Sequence, residues 1–264
     1  MTKTAFIAIV GCPNVGKSSL LNRMLGQKVA IVTQKPQTTR TRIMGVLTMG
    51  ETQLVFTDTP GYHRPKTKLG EEMIKSVGEG IAGMDACLFV VEPEGEIRET
   101  EIELLNRLKK EKAPVVLVIN KIDRPNANPS RVVDEVLELF IELDANDEQL
   151  DFKVLYASGL NGTCSYSDDL STQTEGFTEI LDTILEEIPA PTGTKDSPLQ
   201  FQPALLDYNE FVGRIGIGRV RRGTIKTGEN VSVCRLDGSI KQFRIQKLYG
   251  FLGLDRIEIK EGYA

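Results

Sequence analysis

Residues 11–18 read Gly-Cys-Pro-Asn-Val-Gly-Lys-Ser and fit the pattern G-x-x-x-x-G-K-[ST]. The apolar residues 6–10 before them are typical of a buried strand, and residues 19–25 after them are typical of a helix that ends at Gly26. In that context the pattern surrounds phosphate groups with backbone N–H groups, the positive end of a helix dipole and a lysine ammonium. We therefore predict that this loop binds the phosphates of a nucleotide.

Individual positions of the loop have separate expected roles. Lys17 places its ammonium against the phosphates, and Gly16 allows close approach of the backbone because it has no Cβ atom. The hydroxyl of Ser18 is a ligand for Mg²⁺. Lys17 is also expected to be catalytic. The expected phosphate-binding residues are Asn14, Val15, Gly16, Lys17, Ser18 and Ser19.

A second pattern, Asp58-Thr59-Pro60-Gly61, follows a predicted β-hairpin formed by residues 44–49 and 52–57. An aspartate at the end of a buried strand, followed by a glycine, is how a nucleotide switch holds metal and phosphate. We expect Asp58 to bind Mg²⁺ through water, and we expect Gly61 to be catalytic, with its N–H facing the γ-phosphate. D-x-x-G is also an ordinary turn, and its position after the phosphate loop favours the functional interpretation.

A third pattern, Asn120-Lys121-Ile122-Asp123, follows the apolar residues 114–119. A carboxylate can accept two hydrogen bonds from guanine, from N1–H and from the N2 amino group. Adenine lacks that donor pair, so Asp123 favours GTP over ATP. The stem of Lys121 is expected to lie over the base, and Asn120 is expected to connect this loop to the phosphate loop.

Strand and helix patterns alternate as far as Glu187, which predicts an α/β P-loop domain. Its sheet is expected to be mixed and mostly parallel, with helices on both faces. The last predicted strand, residues 154–157, ends at Ser158 and Gly159, where backbone N–H groups are expected to contact guanine O6. Ligands bind such sheets at the carboxyl ends of the strands.

The pattern changes after a proline-rich segment. Short apolar runs separated by glycine turns predict a small antiparallel β-barrel of the type found in translation factors. Its strands are expected at residues 201–206, 212–220, 231–236 and 243–248. We predict a first domain at residues 1–188, a linker at 189–198 and the barrel at 199–264.

Composition limits the other classes of function. No apolar run reaches the ~20 residues of a membrane span, and no signal peptide is recognised, so we expect a cytoplasmic protein without membrane contact. The four cysteines lack metal-ligand spacing and His63 is the only histidine, which excludes a His-based zinc site.

The charge is unevenly divided between the predicted domains. Residues 199–264 contain 11 Lys or Arg against 7 Asp or Glu, a net of +4, which leaves −9 for residues 1–198 of a chain of net −5. We therefore expect any polyanion to contact the second domain. The alternative, which has equal weight, is that these charges are scattered over a solvated surface. DNA is not an expected partner.

Two families resemble different parts of the chain. Residues 1 to about 120 resemble the G domain of Era, through residues 11–18, 35–40 (Lys-Pro-Gln-Thr-Thr-Arg) and 58–63. From about residue 120 onward the chain resembles the translational GTPase family BipA, also called TypA. That likeness lies in residues 120–126, 143–152, 206–209, 212–219 and 222–223. Because the two likenesses meet near the guanine pattern, we hypothesise a chimera or constructed sequence spliced inside the G domain.

The resemblance implies a GTPase that hydrolyses GTP to GDP and phosphate with Mg²⁺, related to the ribosome or its RNA. Thr39 would close over the metal and the γ-phosphate and act in catalysis, with Thr38 as the neighbouring alternative. Asn14 resembles a potassium ligand of Era-related GTPases, which makes K⁺ a second candidate cation. Ras-type switches have a glutamine directly after D-x-x-G, and this chain has Tyr62 there. His63 is one position further. It is either a surface residue or the group that orients the attacking water.

Other features depart from both families. Residues 1–264 contain no stretch that resembles the Era KH domain or the later BipA domains, and residue 264 falls about where the last BipA barrel strand would begin, so we expect an incomplete barrel and mostly a monomer. Gly159 replaces the usual alanine. The alternative function is a recombined nucleotide-binding chimera with weak or no activity and no physiological partner.

Overall fold

The computed structural model describes residues 3–29, 43–58, 84–111, 114–188, 193–210, 213–235, 237–252 and 255–264. The chain divides into two units, Met1–Pro189 and Ala190–Ala264. Several predicted features lie outside the described residues. They are Thr38, Thr39, Gly61, Tyr62 and His63, together with residues 68–82, whose sequence pattern predicts a helix.

An eight-stranded sheet forms the centre of the first unit. Its strands are β1 (Lys3–Val10), β2 (Ile43–Met49), β3 (Thr52–Asp58), β4 (Ala86–Val91), β5 (Val115–Asn120), β6 (Lys153–Ser158), β7 (Thr163–Ser165) and β8 (Thr174–Glu175). The spatial order is β2-β3-β1-β4-β5-β6-β7-β8. The strands from β3 to β6 are parallel, while β2, β7 and β8 pair in antiparallel fashion. This confirms the prediction of a mixed, mostly parallel sheet.

Five α-helices accompany the sheet in the described residues. They are α1 (Lys17–Met24), α2 (Glu99–Glu111), α3 (Pro129–Glu142), α4 (Asp147–Leu150) and α5 (Thr178–Glu187). The sequence pattern predicts that helix α3 starts at residue 132. It begins earlier, because the side chain of Asn128 caps it and Pro129 suits its first position. The pattern predicts that helix α2 starts at residue 96. It begins later, because a side-chain carboxylate of Glu101 holds the Arg98 N–H before the helix starts.

The core of this unit explains why the strands are so apolar. All six residues of β4 are buried, as expected for a parallel strand covered on both faces. Leu20 and Leu21 of α1 belong to the same core cluster as Ile180 and Ile184 of α5. The first turn of α1 is therefore anchored by its apolar face.

Strands β7 and β8 were not predicted, since residues 163–175 are polar and have no clear period. They extend the sheet at one edge, next to β6. Cys164 on β7 donates from Sγ to Glu179 Oε2 at 2.9 Å. Burial, together with that carboxylate, raises the pKa of the Cys164 thiol to about 12, so the thiol stays protonated.

The second unit consists of short antiparallel strands. They are β9 (Gln200–Asn209), β10 (Gly213–Arg222), β11 (Thr224–Lys226), β12 (Asn230–Cys234), β13 (Ile240–Arg244), β14 (Leu248–Leu252), β15 (Asp255–Ile259) and β16 (Glu261–Tyr263). Hydrogen bonds between the described residues join them as β9–β10, β11–β16, β12–β13 and β14–β15. Closure of these strands into a barrel stays a prediction.

One predicted strand of the second unit is wrong. Residues 243–248 do not form one strand, because β13 ends at Arg244 and β14 begins at Leu248. The intervening Ile245 leaves the ladder with its N–H bonded to Glu229 O at 2.9 Å and its carbonyl bonded to Gly228 N at 2.8 Å. The turn at Gly228 therefore takes the hydrogen bonds that a continuous strand would have used.

Candidate nucleotide-binding site

The predicted site residues that the structure describes lie at one edge of the first unit's sheet. The phosphate loop, residues 11–18, follows β1, and Asp58 ends β3. The guanine loop, residues 120–124, follows β5, and Ser158 ends β6. Because these strands are parallel, their carboxyl ends meet and bring four separate segments together.

The backbone of the phosphate loop depends on glycine. Gly16 has φ of +100°, and a Cβ atom added there would lie 2.2 Å from Asn120 Nδ2. A Cβ atom at Gly11 would lie 2.2 Å from the carbonyl oxygen of Val90. Asn14 also has a positive φ, +68°, which asparagine tolerates better than most residues. The loop is therefore pressed closely against β4 and the guanine loop.

Lys17 is buried at the start of α1, with 6% of its surface exposed. Its Nζ donates to the carbonyl oxygens of Gly11, at 3.1 Å, and Cys12, at 2.9 Å. Burial lowers the pKa of this ammonium, while the negative charge of Asp58 opposes the shift. The side chain is thus folded back against the carbonyl oxygens of its own loop.

Asp58 is fully buried and only half satisfied by hydrogen bonds. Its Oδ2 accepts a hydrogen bond from Ser18 Oγ at 2.6 Å, whereas Oδ1 has no hydrogen-bond partner among the described residues. Burial raises the pKa of Asp58, and Lys17 and the Ser18 hydroxyl act in the opposite direction. A buried carboxylate oxygen without a partner is costly. A hydroxyl beside such an oxygen is a donor set that fits Mg²⁺.

Asn120 connects three segments of the site through one buried amide. Its exposed fraction is 1%. Nδ2 donates to Val15 O in the phosphate loop at 2.7 Å, and Oδ1 accepts from the Gly159 N–H at 2.8 Å. An alanine or valine cannot make either bond, and the two partners would then be left buried and unpaired.

Lys121 and Asp123 occupy different parts of the guanine loop. Lys121 has φ of +71°, and its Nζ donates both to Asn14 O and to Glu92 Oε1. Asp123 is exposed at the rim. Both line an open cleft of about 730 Å³. The other residues around it are Gly16, Ser19, Asn22, Arg23, Gly26, Gln27, Lys28, Asn120, Arg124, Gly159 and Leu160.

Ser158 supports the cleft rather than lining it. It is 1% exposed, and its Oγ accepts a hydrogen bond from the Asn161 N–H at 3.2 Å. Arg23 of α1 supports the same loop, because its Nη2 donates to Leu160 O at 3.0 Å. Neither Arg23 nor Glu92 was predicted from the sequence. The only available signal for Glu92 was a carboxylate directly after a buried strand.

The thiol in the phosphate loop does not add chemistry to the site. Cys12 is buried and its Sγ lies 3.2 Å from Thr100 Oγ1. Burial, and then the charge of Glu101, raises the pKa of this thiol to about 11.

The described residues contain no group of three His, Cys, Asp or Glu side chains that could hold a metal. No helix in the described ranges is long and apolar enough to cross a membrane.

Gly16→Ala is expected to weaken nucleotide binding at least tenfold and to lower the free energy of unfolding by about 1–3 kcal/mol, since alanine is strained at φ +100°. Gly159→Ala is the matched control. Gly159 has no positive φ, and its added Cβ would lie 3.3 Å from Asn120 Oδ1, so the expected change is within about 1 kcal/mol. Chemical denaturation and nucleotide titration of both variants test this. Equal effects of the two substitutions would contradict it.

The family described as 50S ribosome-binding GTPase matches residues 6–121. The first unit has the fold of a P-loop GTPase domain. This assignment agrees with the sheet order and with the phosphate and guanine loops on its carboxyl edge. The chain also aligns with curated proteins beyond this GTPase domain.

Two such relatives are BipA proteins. The large ribosomal subunit assembly factor BipA of Bacillus subtilis is 48% identical over 214 residues, which are 81% of this chain and 33% of that protein. BipA of Synechocystis is 36% identical over 275 residues, covering 98% of this chain and 44% of that protein. The chain thus spans less than half the length of these relatives. It is homologous to BipA over most of its own length.

A solved structure connects the GTPase domain to Era. The crystal structure of Era in complex with MgGDPNP and nucleotides 1506–1542 of 16S ribosomal RNA has a TM-score of 0.57 and 31% sequence identity. The alignment covers 76% of this chain and 60% of that one. Likeness to both families is therefore confirmed. A junction between them is not shown, because a single BipA protein aligns along 98% of the chain.

Proposed function

We propose that this chain binds GTP and GDP and hydrolyses GTP to GDP and phosphate as a ribosome-related switch. The observation that carries the proposal is the buried amide of Asn120. It bonds to Val15 O of the phosphate loop and to the Gly159 N–H beside the guanine loop. Phosphate recognition and base recognition are thereby joined in one site.

The phosphate loop is proposed to bind the β- and γ-phosphates. Backbone N–H groups of residues 14–19 and the N-terminus of α1 supply partial positive charge. The Lys17 ammonium supplies a full charge in a place that is shielded from water. Phosphoryl transfer depends mainly on such charge and on positioning, so these groups are sufficient for slow turnover.

The metal would be held by Ser18 and Asp58, and by Thr39 through the resemblance to Era. The unpartnered Asp58 Oδ1 and the neighbouring Ser18 hydroxyl support Mg²⁺ at this position. When bound, Mg²⁺ neutralises part of the phosphate charge. Asp58 and Ser18 would hold the cation in place at this part of the site. Thr39 and Gly61 complete the proposal by resemblance.

Base selectivity is assigned to Asp123, with the stem of Lys121 over the ring and the backbone of Ser158 and Gly159 at guanine O6. The exposed position of Asp123 at the rim of the cleft supports this assignment. Guanine presents two donors to the carboxylate, whereas adenine does not. GTP and GDP are therefore the proposed ligands.

K⁺ is proposed as a second cation beside the phosphates, and Asn14 is its proposed ligand. The expected result is faster GTP hydrolysis in KCl than in NaCl at equal ionic strength, because K⁺ would add positive charge where the transition state is negative. Phosphate release with saturating Mg²⁺ measures this. Equal rates in the two salts would remove potassium from the mechanism.

Ribosomal partners are proposed from the relatives. The BipA proteins are named as large ribosomal subunit assembly factors, and the Era structure contains 16S ribosomal RNA. The net charge of +4 on residues 199–264 supports a polyanion contact in the second unit. We propose a mostly monomeric, cytoplasmic protein, and co-sedimentation with ribosomes in each nucleotide state tests the partnership.

The experiment that tests hydrolysis is multiple-turnover phosphate release from GTP with Mg²⁺. The Lys17→Ala variant is the matched negative control. The proposal predicts steady release beyond one equivalent of phosphate per chain and none above background in the variant. Tight guanine-nucleotide binding without turnover would contradict the hydrolysis and leave a binding module.

A further inference from the structure

A turn after β4, residues 92–98, bears two carboxylates that pair with both cations of the guanine loop. We call it the β4 acidic turn. Glu92 Oε1 accepts a hydrogen bond from Lys121 Nζ, and Glu94 Oε2 accepts one from Arg124 Nη1 at 2.6 Å. The pairing with Glu94, together with the negative charge of Glu92, raises the pKa of Arg124. The turn therefore pairs with both positive charges of the guanine loop.

The β4 acidic turn is itself fixed by other bonds. Pro93 O accepts from the Asn128 N–H at 2.8 Å, immediately before α3. The Ile97 N–H donates to Glu135 Oε2 at 3.0 Å on the same helix. Backbone anchors on both sides of Glu94 therefore give the carboxylates a defined position from which to act on the guanine loop.

Glu92 occupies the most consequential position of the turn. Its side chain is 14% exposed and that of Lys121 is 22% exposed, so the pair is largely shielded from water. The same Lys121 ammonium also donates to Asn14 O in the phosphate loop. A second cation, Arg98, lies 3.4 Å from Glu92 Oε2. The carboxylate thus holds the lysine at the junction of the two loops.

We propose that Glu92 is a positioning residue that fixes Lys121 across the junction and thereby sets how long a guanine nucleotide stays bound. This inference rests on the proposed function, because it assigns Lys121 to the base. Without the carboxylate, the ammonium is free to turn toward solvent. The Lys121 stem then no longer covers the base, and the link to Asn14 O weakens.

Release of a fluorescent GDP from the intact chain tests the proposal. Glu92→Gln is expected to accelerate release about tenfold or more, because truncating one partner of a shielded, hydrogen-bonded charge pair raises a dissociation rate. Glu96→Gln is the matched control, since Glu96 lies in the same turn, is exposed and undergoes the same change of charge. The control is expected to stay within about twofold of the wild-type chain.

A double-mutant cycle separates positioning from general loosening of the fold. In a Lys121→Met background, Glu92→Gln is expected to add less than about twofold, because its partner is already absent. High salt is expected to change the wild-type release rate by less than Glu92→Gln does, since an ion pair that is shielded from water is only weakly screened. Lys121→Met alone is expected to accelerate release at least as much as Glu92→Gln, so the inference stays testable if Glu92→Gln folds poorly.

The results that overturn the inference are specific. Equal release rates for Glu92→Gln and Glu96→Gln, or full additivity with Lys121→Met, would show that Glu92 does not act through Lys121. If the wild-type chain retains GDP, either of these results leaves the proposed function in place. A wild-type chain that does not bind GDP overturns both the proposed function and this inference.

Discussion

Lys17→Ala is expected to abolish measurable GTP turnover and to weaken binding of the triphosphate by at least about 10²-fold, the effect of removing one strong donor from a charge-stabilising site. The wild-type ammonium is buried and held by two carbonyl oxygens of its own loop. Its charge therefore acts on the phosphates without competition from bulk water. Phosphate release and calorimetric titration of GTP measure the two losses.

The Lys17→Ala fold is expected to survive, because the buried Asp58 can take up a proton when its positive neighbour is gone and so avoids an unpaired buried charge. The pKa of Asp58 is expected to rise further, since Lys17 is the positive charge that opposes its upward shift. Thermal unfolding provides the control for folding. A folded variant with an unaltered GTPase rate would contradict the assignment of the phosphate loop.

Asp123→Asn is expected to weaken GTP binding by about 10²-fold or more, because the two guanine donors lose the carboxylate that accepts them. The substituted amide should improve binding of xanthine nucleotides, in which an oxygen replaces the 2-amino group. The exposed position of Asp123 means that stability should change little. Competition titrations with GTP, XTP and ATP measure the exchange of preference.

Asp134→Asn is the control for Asp123→Asn, because Asp134 is an exposed aspartate of α3 outside the cleft. It should leave the order of nucleotide affinities unchanged. If Asp123→Asn also leaves that order unchanged, the base is recognised elsewhere. If the affinity for GTP falls to the same degree in both variants, the cause is the change in net charge and not the loss of base recognition.

The first unit was largely predictable because its signals are local and strong. The apolar runs of β4 and β5 can only be buried strands, and the phosphate pattern fixes the strand, loop and helix around it. Strands β7 and β8 were missed because their residues are polar and pair only through the neighbouring sheet edge. The error at residues 243–248 has a related cause, since the break is set by bonds from Ile245 to distant residues.

The candidate site was predictable where a pattern carries the chemistry, and not where tertiary contacts do. Lys17, Asp58 and Asn120 stand in recognisable patterns and meet at one edge of the sheet. Glu92 and Arg23 have no such pattern. Their partners Lys121 and Leu160 lie 29 and 137 residues away in the sequence, and only the folded sheet brings them together.

The most direct test of the central claim is calorimetric titration of the nucleotide-free chain with GDP, GTP and ATP in the presence of Mg²⁺. The account predicts that both guanine nucleotides bind at one site per chain, at least about 10²-fold more tightly than ATP, because only guanine satisfies Asp123. Equal affinities for GTP and ATP, or no binding of either guanine nucleotide, would contradict it.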